Sequence, residues 1–154
     1  MEVLPGDLDD PRVLDLLRDH LAGMHANSPP GSVHALDVSA LRARHVTFCT
    51  VWDGDALLGC GALAELDASS GELKSMRTAA AHLRRGVGAH MLVHLLGLAR
   101  SRGYRRVCLE TGSGPSFEAA LALYRKHGFV SCPAFGTYAP TDFNQFLALD
   151  LSPP

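Results

Sequence analysis

Apolar residues along the chain recur with two different periods, one typical of helices and one typical of strands. Near the N-terminus, an apolar stripe at helical spacing predicts a helix that starts around Asp10 and Pro11. The stripe consists of Leu8, Val13, Leu16, Leu17, His20 and Leu21. The segment Ser28–Ser32, with two prolines and a glycine, is predicted to be a loop, and a short helix at about residues 38–44 is expected to follow it.

The next segments carry the pattern of strands. Residues 46–53 (VTFCTVWD) are mainly β-branched and aromatic, and residues 56–66 (ALLGCGALAEL) are typical of the returning strand of a hairpin after the turn Asp53-Gly54-Asp55. A second turn, Ser69–Gly71, precedes the segment ELKSMRT at residues 72–78. Three consecutive strands joined by tight turns predict an antiparallel meander.

Helices and strands alternate in the second half of the chain. Residues 87–103 carry an apolar stripe that predicts a helix ended by a glycine, and residues 105–111 (RRVCLET) are predicted to form a strand. A second helical stripe stops at the glycine that ends residues 117–128, and residues 129–132 and 143–151 are strand-like. The whole order predicts a mixed α/β fold.

Length and composition fit one domain over residues 1–154. A chain of 154 residues with 47% hydrophobic residues can bury a real core, and this apolar fraction is too high for a disordered chain. No apolar run reaches the roughly 18–20 residues of a membrane-spanning helix. A net charge of −2 without a long Lys/Arg block argues against nucleic acid as a partner. A small molecule or a peptide is favoured instead.

The pattern of cysteines indicates whether the protein resides in a reducing or an oxidising compartment. They lie far apart in apolar surroundings and form no C-x-x-C pair. The N-terminal residues have neither the basic region nor the apolar stretch of a secretory signal. We therefore expect reduced thiols and a cytoplasmic protein. The residues concerned are Cys49, Cys60, Cys108 and Cys132.

A glycine-rich turn at residues 83–89 (LRRGVGA) follows the meander and opens the long helix. The first backbone N–H groups of a helix have no partner within it, and the helix dipole places partial positive charge behind them. Such a turn is suited to a diphosphate group. The alternative is that Gly86 and Gly88 serve only the close packing of helix against sheet.

This turn differs from two other phosphate-binding motifs. It is not a P-loop, because no G-K-[ST] closes it, and Met91 occupies the place of the third glycine in the dinucleotide-binding fingerprint. The strand before it ends an antiparallel meander and does not open a βαβ unit. A nucleotide-binding Rossmann-like domain is therefore disfavoured. It remains an alternative interpretation, which predicts binding of NAD or ATP.

Several motifs in order resemble the GNAT superfamily of N-acetyltransferases. ELKSMRT is similar to the family's fourth strand, residues 83–88 to its diphosphate loop, and residues 105–111 to its fifth strand. LYRKHGF at residues 123–129 is similar to its L-Y-x-x-x-G-F signature. The resemblance covers about residues 45–150. More narrowly, HALD (His34–Asp37), ELKSMRT, HLRRGVG and LETG resemble small bacterial acetyltransferases of the YsnE type.

This resemblance implies the GNAT fold, a mixed and mostly antiparallel central sheet flanked by helices, in which strands four and five splay apart. It implies acetyl-CoA as the donor, with the arm of CoA between these strands, and it makes a homodimer an expectation. By the same resemblance, the main chain of Met76 and Thr78 would contact the arm, and the glycine turn would hold the diphosphate. The turn residues so assigned are Arg84, Arg85, Gly86, Val87, Gly88 and Ala89. Phe117 stands where many members carry an asparagine beside the pantetheine.

Acetyl transfer to an amine requires a neutral nucleophile. For an alkylamine with a pKa of about 10.4, loss of the proton at pH 7 costs roughly 4.6 kcal/mol, so a general base is useful. The resemblance places Glu72 where some members have a catalytic glutamate, with Glu110 as the rival base. Tyr124 matches the family's usual proton donor. The structural alternatives are an ordinary strand-edge carboxylate and a tyrosine packed in the core.

The acceptor pocket of the family lies against the N-terminal helices and the neighbouring strands. This placement implicates His34, Asp37 and Arg77 in acceptor binding. His90 and His94 are expected to form a solvated helix face and not a metal site, because the sequence offers no third ligand.

The expected function is therefore N-acetyl transfer to a primary amine of a small molecule or peptide, by direct attack in a ternary complex. The alternative is a catalytically silent sensor or interaction module that binds acyl-CoA on the same fold.

Overall fold

A computed structural model of the chain describes residues 1–34 and 37–151. Within these residues, seven strands form one sheet in the order β1-β2-β3-β4-β5-β7-β6. The strands are β1 Glu2–Pro5, β2 Val46–Asp53, β3 Ala56–Asp67, β4 Ser70–Thr78, β5 Arg106–Thr111, β6 Val130–Ser131 and β7 Gln145–Asp150. The helices are α1 Pro11–Ala26, α2 Val38–Leu41, α3 Val87–Ser101 and α4 Glu118–Lys126, with 3₁₀ turns at Ala80–His82 and Pro115–Phe117. The mixed α/β fold predicted from the sequence is confirmed.

Strand β1 is the one element of the sheet that the sequence pattern did not predict. It pairs antiparallel with β2 from Glu2↔Trp52 to Pro5↔Cys49 and forms the edge of the sheet. Four residues are too few to show a clear period, and one of them is a proline. An edge strand tolerates proline, because the missing N–H is not needed for a second ladder.

The two N-terminal helices begin at side-chain caps. The carboxylate of Asp10 accepts a hydrogen bond of 2.9 Å from the backbone N–H of Arg12, and Pro11 is the first helical residue of α1, as predicted. Helix α2 ends at Leu41, earlier than the predicted residue 44. The backbone N–H groups that follow turn back to carbonyls three residues earlier, so the helix tightens into a turn before β2.

Strands β4 and β5 separate after a short parallel ladder. The ladder contains three residue pairs, from Ser70↔Arg106 to Glu72↔Cys108. Further along β4, a β-bulge shifts the register against β3 between Ala62↔Lys74 and Cys60↔Arg77. Ser75 lies in this bulge with a φ of 54°, a left-handed conformation that is uncommon for serine. The predicted splay between these strands is confirmed.

The core consists of two apolar layers, one on each face of the sheet. Helices α3 and α4 cover one face together with the larger layer, whose fully buried members include Leu63, Met91, Leu92, Leu95, Leu109 and Leu147. Helices α1 and α2 cover the other face with Val13, Leu16, Leu17, Leu41, Phe48 and Ala62. Helices therefore pack against both faces of the sheet.

Three of the four cysteines are buried, and none of the four forms a disulfide. Among the helices of the described residues, none has both the length and the apolar character that a bilayer-spanning helix requires.

Truncation of α3 at its buried face should destabilise the fold. Leu92 is fully buried in the larger layer, so Leu92→Ala should lower the free energy of unfolding by about 2–5 kcal/mol. The adjacent Val93 is 58% exposed, and Val93→Ala should change it by less than about 0.5 kcal/mol. Urea denaturation of both variants measures the difference. Equal losses would contradict the orientation of α3.

Candidate active site

A cavity of about 730 Å³ opens where β4 and β5 separate. Its walls come from both faces of the sheet, because Val87 and Met91 of α3 line it together with His20 and Met24 of α1. Tyr124 of α4 closes one side. The gap in the sheet thus joins the α3 face to the α1 face through one continuous space.

The glycine-rich turn forms one end of this cavity. Gly86 precedes α3 with a φ of 79°, a conformation that a glycine adopts at little cost. The hydrogen bond from His90 N to Gly86 O, 3.0 Å long, closes the first turn of the helix. The backbone N–H groups of Val87, Gly88 and Ala89 therefore have no acceptor within α3. All three residues line the cavity.

The two arginines of the turn point to different places. Arg84 lines the cavity, and its φ of 63° turns the chain sharply before Gly86. Arg85 is not among the described residues that line the cavity. Its guanidinium instead lies 2.8 Å from His82 Nδ1 and 3.5 Å from the carboxylate of Asp53. Of the two predicted contacts, the geometry places only Arg84 in the cavity.

Neighbouring residues of β4 point to opposite faces of the sheet. A Cβ built on Gly61 would lie 2.6 Å from Met76 Sδ and 2.8 Å from Met91 Cγ, so Met76 packs toward α3. A Cβ built on Gly23 would lie 3.3 Å from Arg77 Nη1, so Arg77 packs toward α1. This alternation is the usual one in a strand. Met76, Arg77 and Thr78 all line the cavity.

Glu72 is a buried carboxylate held through one of its two oxygens. It is 6% exposed, and Oε2 accepts a hydrogen bond of 2.5 Å from the hydroxyl of Tyr138 and one of 3.2 Å from Lys74 Nζ. The ammonium of Lys74 offsets the charge that burial would otherwise make costly. No hydrogen bond from the described residues reaches Oε1 of Glu72, which leaves this oxygen for a ligand.

Glu110 of β5 is held in the same way. Its Oε2 lies 2.6 Å from Nδ1 of His34 and accepts a longer bond of 3.4 Å from Asn144 Nδ2. Glu72 and Glu110 both line the cavity, and so does His34. The structure therefore brings the predicted base, the rival base and one predicted acceptor residue together.

Tyr138 joins these groups and was not identified from the sequence. Its ring stacks edge-on against His34 at 5.1 Å, and its hydroxyl contacts both Glu72 and Lys74. Burial, the hydrogen bond to Glu72 and the charges of Glu72 and Glu110 raise the pKa of Tyr138 far above its usual value. Tyr138 lies in a loop with no regular period, so the pattern of apolar residues gives no sign of its role.

A second cavity of about 630 Å³ lies on the other side of this cluster. His34 and Glu72 line both cavities, and Tyr138 and Leu66 line only the second one. The two cavities therefore adjoin at His34 and Glu72.

Tyr124 lies on the α3 face of the opening. Its ring is 6% exposed and packs against Phe129 at 5.6 Å between ring centroids. Burial raises the pKa of Tyr124 to about 12, so its hydroxyl is protonated at neutral pH. The tyrosine is thus both a core residue and part of the cavity wall.

Asp37, which was predicted to bind the acceptor, lies at the start of α2. Its carboxylate accepts a hydrogen bond of 2.7 Å from Ala40 N and caps α2. It is not among the described residues that line either cavity. An aspartate that stands before a short helical pattern serves the cap, and a motif match cannot distinguish this role from ligand binding. Ala35 and Leu36 of the HALD motif lie outside the described residues.

The histidine pair on α3 is exposed. His90 and His94 both face solvent, as the sequence pattern indicated. Among the described residues, no group of three or more His, Cys, Asp or Glu side chains is arranged to hold a metal ion.

The splayed sheet, the glycine turn and the carboxylate cluster define an acyltransferase of the GNAT class. Residues 13–129 match the Acetyltransferase (GNAT) family, and the chain belongs to this family. It is 46% identical over 151 residues to the uncharacterized N-acetyltransferase YsnE of Bacillus subtilis, covering 98% of this chain and 100% of that protein. It is 49% identical over 145 residues to the uncharacterized N-acetyltransferase YedL of Escherichia coli, covering 94% of this chain and 91% of that protein.

Solved structures of the same fold contain the cosubstrate. An aminoglycoside 6′-N-acetyltransferase complexed with coenzyme A superposes with a TM-score of 0.76 at 17% identity, covering 100% of this chain and 99% of that one. A GNAT family acetyltransferase from Elizabethkingia anophelis with acetyl-CoA bound superposes with a TM-score of 0.70 at 18% identity, covering 97% of both chains. The family uses acetyl-CoA as its cosubstrate. The free N–H groups after Gly86 fit its diphosphate, and the open edge of β4 fits its extended arm.

Acid should destabilise the protein through His20. This residue is 7% exposed, and burial together with the charge of Arg77 lowers its pKa to about 4. Between that value and the ordinary pKa of about 6.5, the unfolded chain binds a proton that the folded chain does not. The free energy of unfolding is therefore highest near pH 7 as far as His20 is concerned, and it falls as the pH is lowered. The expected loss is roughly 2 kcal/mol between pH 7 and pH 5.

Urea unfolding at these two pH values measures the effect. His20→Gln should lose about 2 kcal/mol less than the wild type on acidification. His90→Gln, which removes an exposed histidine of α3, should keep the wild-type dependence. The same dependence in His20→Gln and in the wild type would contradict the shifted pKa.

Proposed function

We propose that the protein transfers the acetyl group of acetyl-CoA to a primary amine of a small molecule or peptide, by direct attack in a ternary complex. The observation that carries this proposal is the arrangement around one opening in the sheet. Leu73 packs in the core layer of α3, so the adjacent Glu72 lies on the opposite face of the sheet. Tyr124 packs in that same core layer on the α3 face, and the glycine turn borders the cavity that both residues line. An amine can therefore approach from one side of the sheet while CoA occupies the other.

Glu72 is the proposed general base. An amine in the cavity reaches Oε1 of Glu72, because Tyr138 and Lys74 hold only Oε2. These two contacts fix the carboxylate in one orientation, which is what proton abstraction requires of a base. Glu110 is the alternative base, since it is held by His34 and Asn144 through a single oxygen as well.

Tyr124 is the proposed proton donor to the departing thiolate of CoA. A donor must carry its proton at the working pH, and a hydroxyl with a pKa of about 12 does so. Tyr124 lines the cavity, and the side chain of the preceding residue, Leu123, approaches Gly88 at the start of α3. This proximity to the proposed diphosphate site supports the assignment.

The remaining proposed contacts to CoA come from β4 and the glycine turn. The main-chain groups of Met76 and Thr78 are proposed to bind the arm. The diphosphate is proposed to bind to the backbone of residues 86–89. Arg84 supplies the nearby positive charge within the cavity, and Arg85 adds charge from outside it. When bound, acetyl-CoA supplies the activated acyl group.

We further propose a cytoplasmic location. Burial raises the pKa of Cys60 to about 12 and that of Cys108 to about 11. Thiols of this kind are poor nucleophiles and resist oxidation, and unpaired cysteines are typical of a reducing compartment.

Removal of either proposed catalytic group should slow turnover. General acid and base groups contribute about 10²–10⁴-fold, so Glu72→Gln and Tyr124→Phe should each lower kcat/KM by at least about 10²-fold. Release of the CoA thiol across a panel of primary amines measures the rate. Glu65→Gln, on the exposed end of β3, and Tyr104→Phe, in the core beside Gly71, are the matched controls.

Wild-type rates in both Glu72→Gln and Tyr124→Phe would refute these assignments. Tight binding of acetyl-CoA without turnover on any amine would favour a catalytically silent sensor instead.

A side chain in the glycine turn should weaken CoA binding. Gly86→Ala places a Cβ at a φ of 79°, which strains the turn and displaces the N–H groups behind it. We expect the Kd for CoA, measured by calorimetry, to rise by about tenfold or more. Gly97→Ala, in the middle of α3 with open space around the new Cβ, should leave the Kd unchanged. An unchanged Kd in Gly86→Ala would mean that the diphosphate binds elsewhere.

A further inference from the structure

The α1 side of the cavity carries a cation without a counter-ion. Arg77 is half-buried, and none of the described Asp or Glu residues forms an ion pair with it. Its Nε is buried and has no hydrogen-bond partner in the part of the chain that the structure describes. Lys74, three residues earlier on the same strand, is paired with Glu72. A half-buried guanidinium without a partner is costly to fold, and an anion supplied by a ligand removes that cost.

Two more polar atoms on the same wall lack a partner. Within residues 1–34 and 37–151, His20 Nδ1 and Ser75 Oγ are buried and find no hydrogen-bond partner, and each residue is 7% exposed. Both residues line the cavity together with Arg77. The hydroxyl and the imidazole can each donate one hydrogen bond, and the guanidinium offers a planar fork of donors. A donor set of this kind matches the two oxygens of a carboxylate.

The charges along this face have opposite signs at the two ends of the opening. Glu72 and Glu110 supply negative charge at one end, and Arg77 supplies positive charge at the other. Glu72 and Arg77 are five residues apart on β4, about 16 Å in a fully extended strand, and the bulge at Ser75 lies between them. A molecule with an amine at one end and a carboxylate at the other matches this polarity.

Arg77 is poorly placed to serve the phosphates of CoA instead. It packs against α1, whereas its neighbour Met76 packs against α3, the helix that carries the diphosphate turn. The cation of the turn that lines the cavity is Arg84. The anion that meets Arg77 therefore comes from the acceptor side of the sheet.

We infer that the acceptor amine carries a carboxylate, as an amino acid does, and that Arg77, Ser75 and His20 bind this carboxylate while the amine lies at Glu72. This inference rests on the proposed function for the fate of the amine and adds the substrate class. Arg77 then determines specificity without contacting the reacting atoms.

The test compares matched acceptors. Initial rates of thiol release are measured with acetyl-CoA and each of the common L-amino acids, and again with the corresponding C-terminal amides. The wild type should prefer acids over amides by about 10- to 100-fold in kcat/KM, as expected for one charged hydrogen-bonded contact. Arg77→Gln should bring this ratio close to one by raising KM for the acid, and Arg77→Lys should keep part of it. Arg100→Gln, at the exposed end of α3, should keep the full preference.

Three results would overturn the inference. One is equal rates on acids and amides in the wild type, and another is an acid preference that Arg77→Gln leaves intact. The third is a rise in KM for acetyl-CoA in Arg77→Gln as large as that for the acid, which would assign Arg77 to the phosphates.

Failure of the proposed function is distinguished by binding. If no acceptor is turned over, the same amino acids are titrated by calorimetry into the protein saturated with CoA. Binding that Arg77→Gln abolishes would support the carboxylate site although the transferase activity had failed. No binding of any amino acid would overturn the site itself.

Discussion

The short ladder between β4 and β5 is the constraint on which the site depends. Parallel pairing stops after Glu72↔Cys108, and the bulge at Ser75 turns β4 away from its neighbour. A complete ladder would fill the gap with backbone hydrogen bonds and separate the two faces of the sheet. The early stop leaves main-chain groups without partners and opens a passage, and the two apolar layers keep the strands in place on either side. A local loss of sheet pairing is thus compensated by the packing of α1 and α3.

Two acidic side chains border the opening between β4 and β5. Glu72 and Glu110 are each held through one oxygen, so both remain rigid and keep the other oxygen accessible. Tyr138 connects the two clusters by contacting Glu72 and His34. Burial of these groups strengthens their interactions, because little water remains to screen them. The proposed proton acceptor and donor lie on opposite sides of the opening in the sheet, which keeps their environments different while both line one cavity.

Much of the fold follows from the sequence, and so do several residues that line the cavity between β4 and β5. The periods of apolar residues locate every helix and all strands but β1, and the turn at Gly86 is identifiable because its glycines stand at a helix start. Lys74 and Tyr138 could not be identified in this way, since their roles arise from contacts between a strand and a loop 64 residues away. For Asp37, the sequence suggested a ligand-binding role, whereas the structure shows a helix cap. A helix cap and a ligand-binding carboxylate have the same sequence pattern, and only the hydrogen bond to Ala40 distinguishes them.

A crystal structure of the protein with CoA and an amino acid would show how the two ligands share the opening in the sheet. We expect the arm of CoA to lie between β4 and β5, its diphosphate to accept hydrogen bonds from the N–H groups of residues 87–89, and its thiol to reach the opening beside Tyr124. The amine should then lie on the opposite face, within hydrogen-bond distance of Glu72. CoA bound away from the gap, or both ligands on the α3 face, would show that the opening does not bring donor and acceptor together.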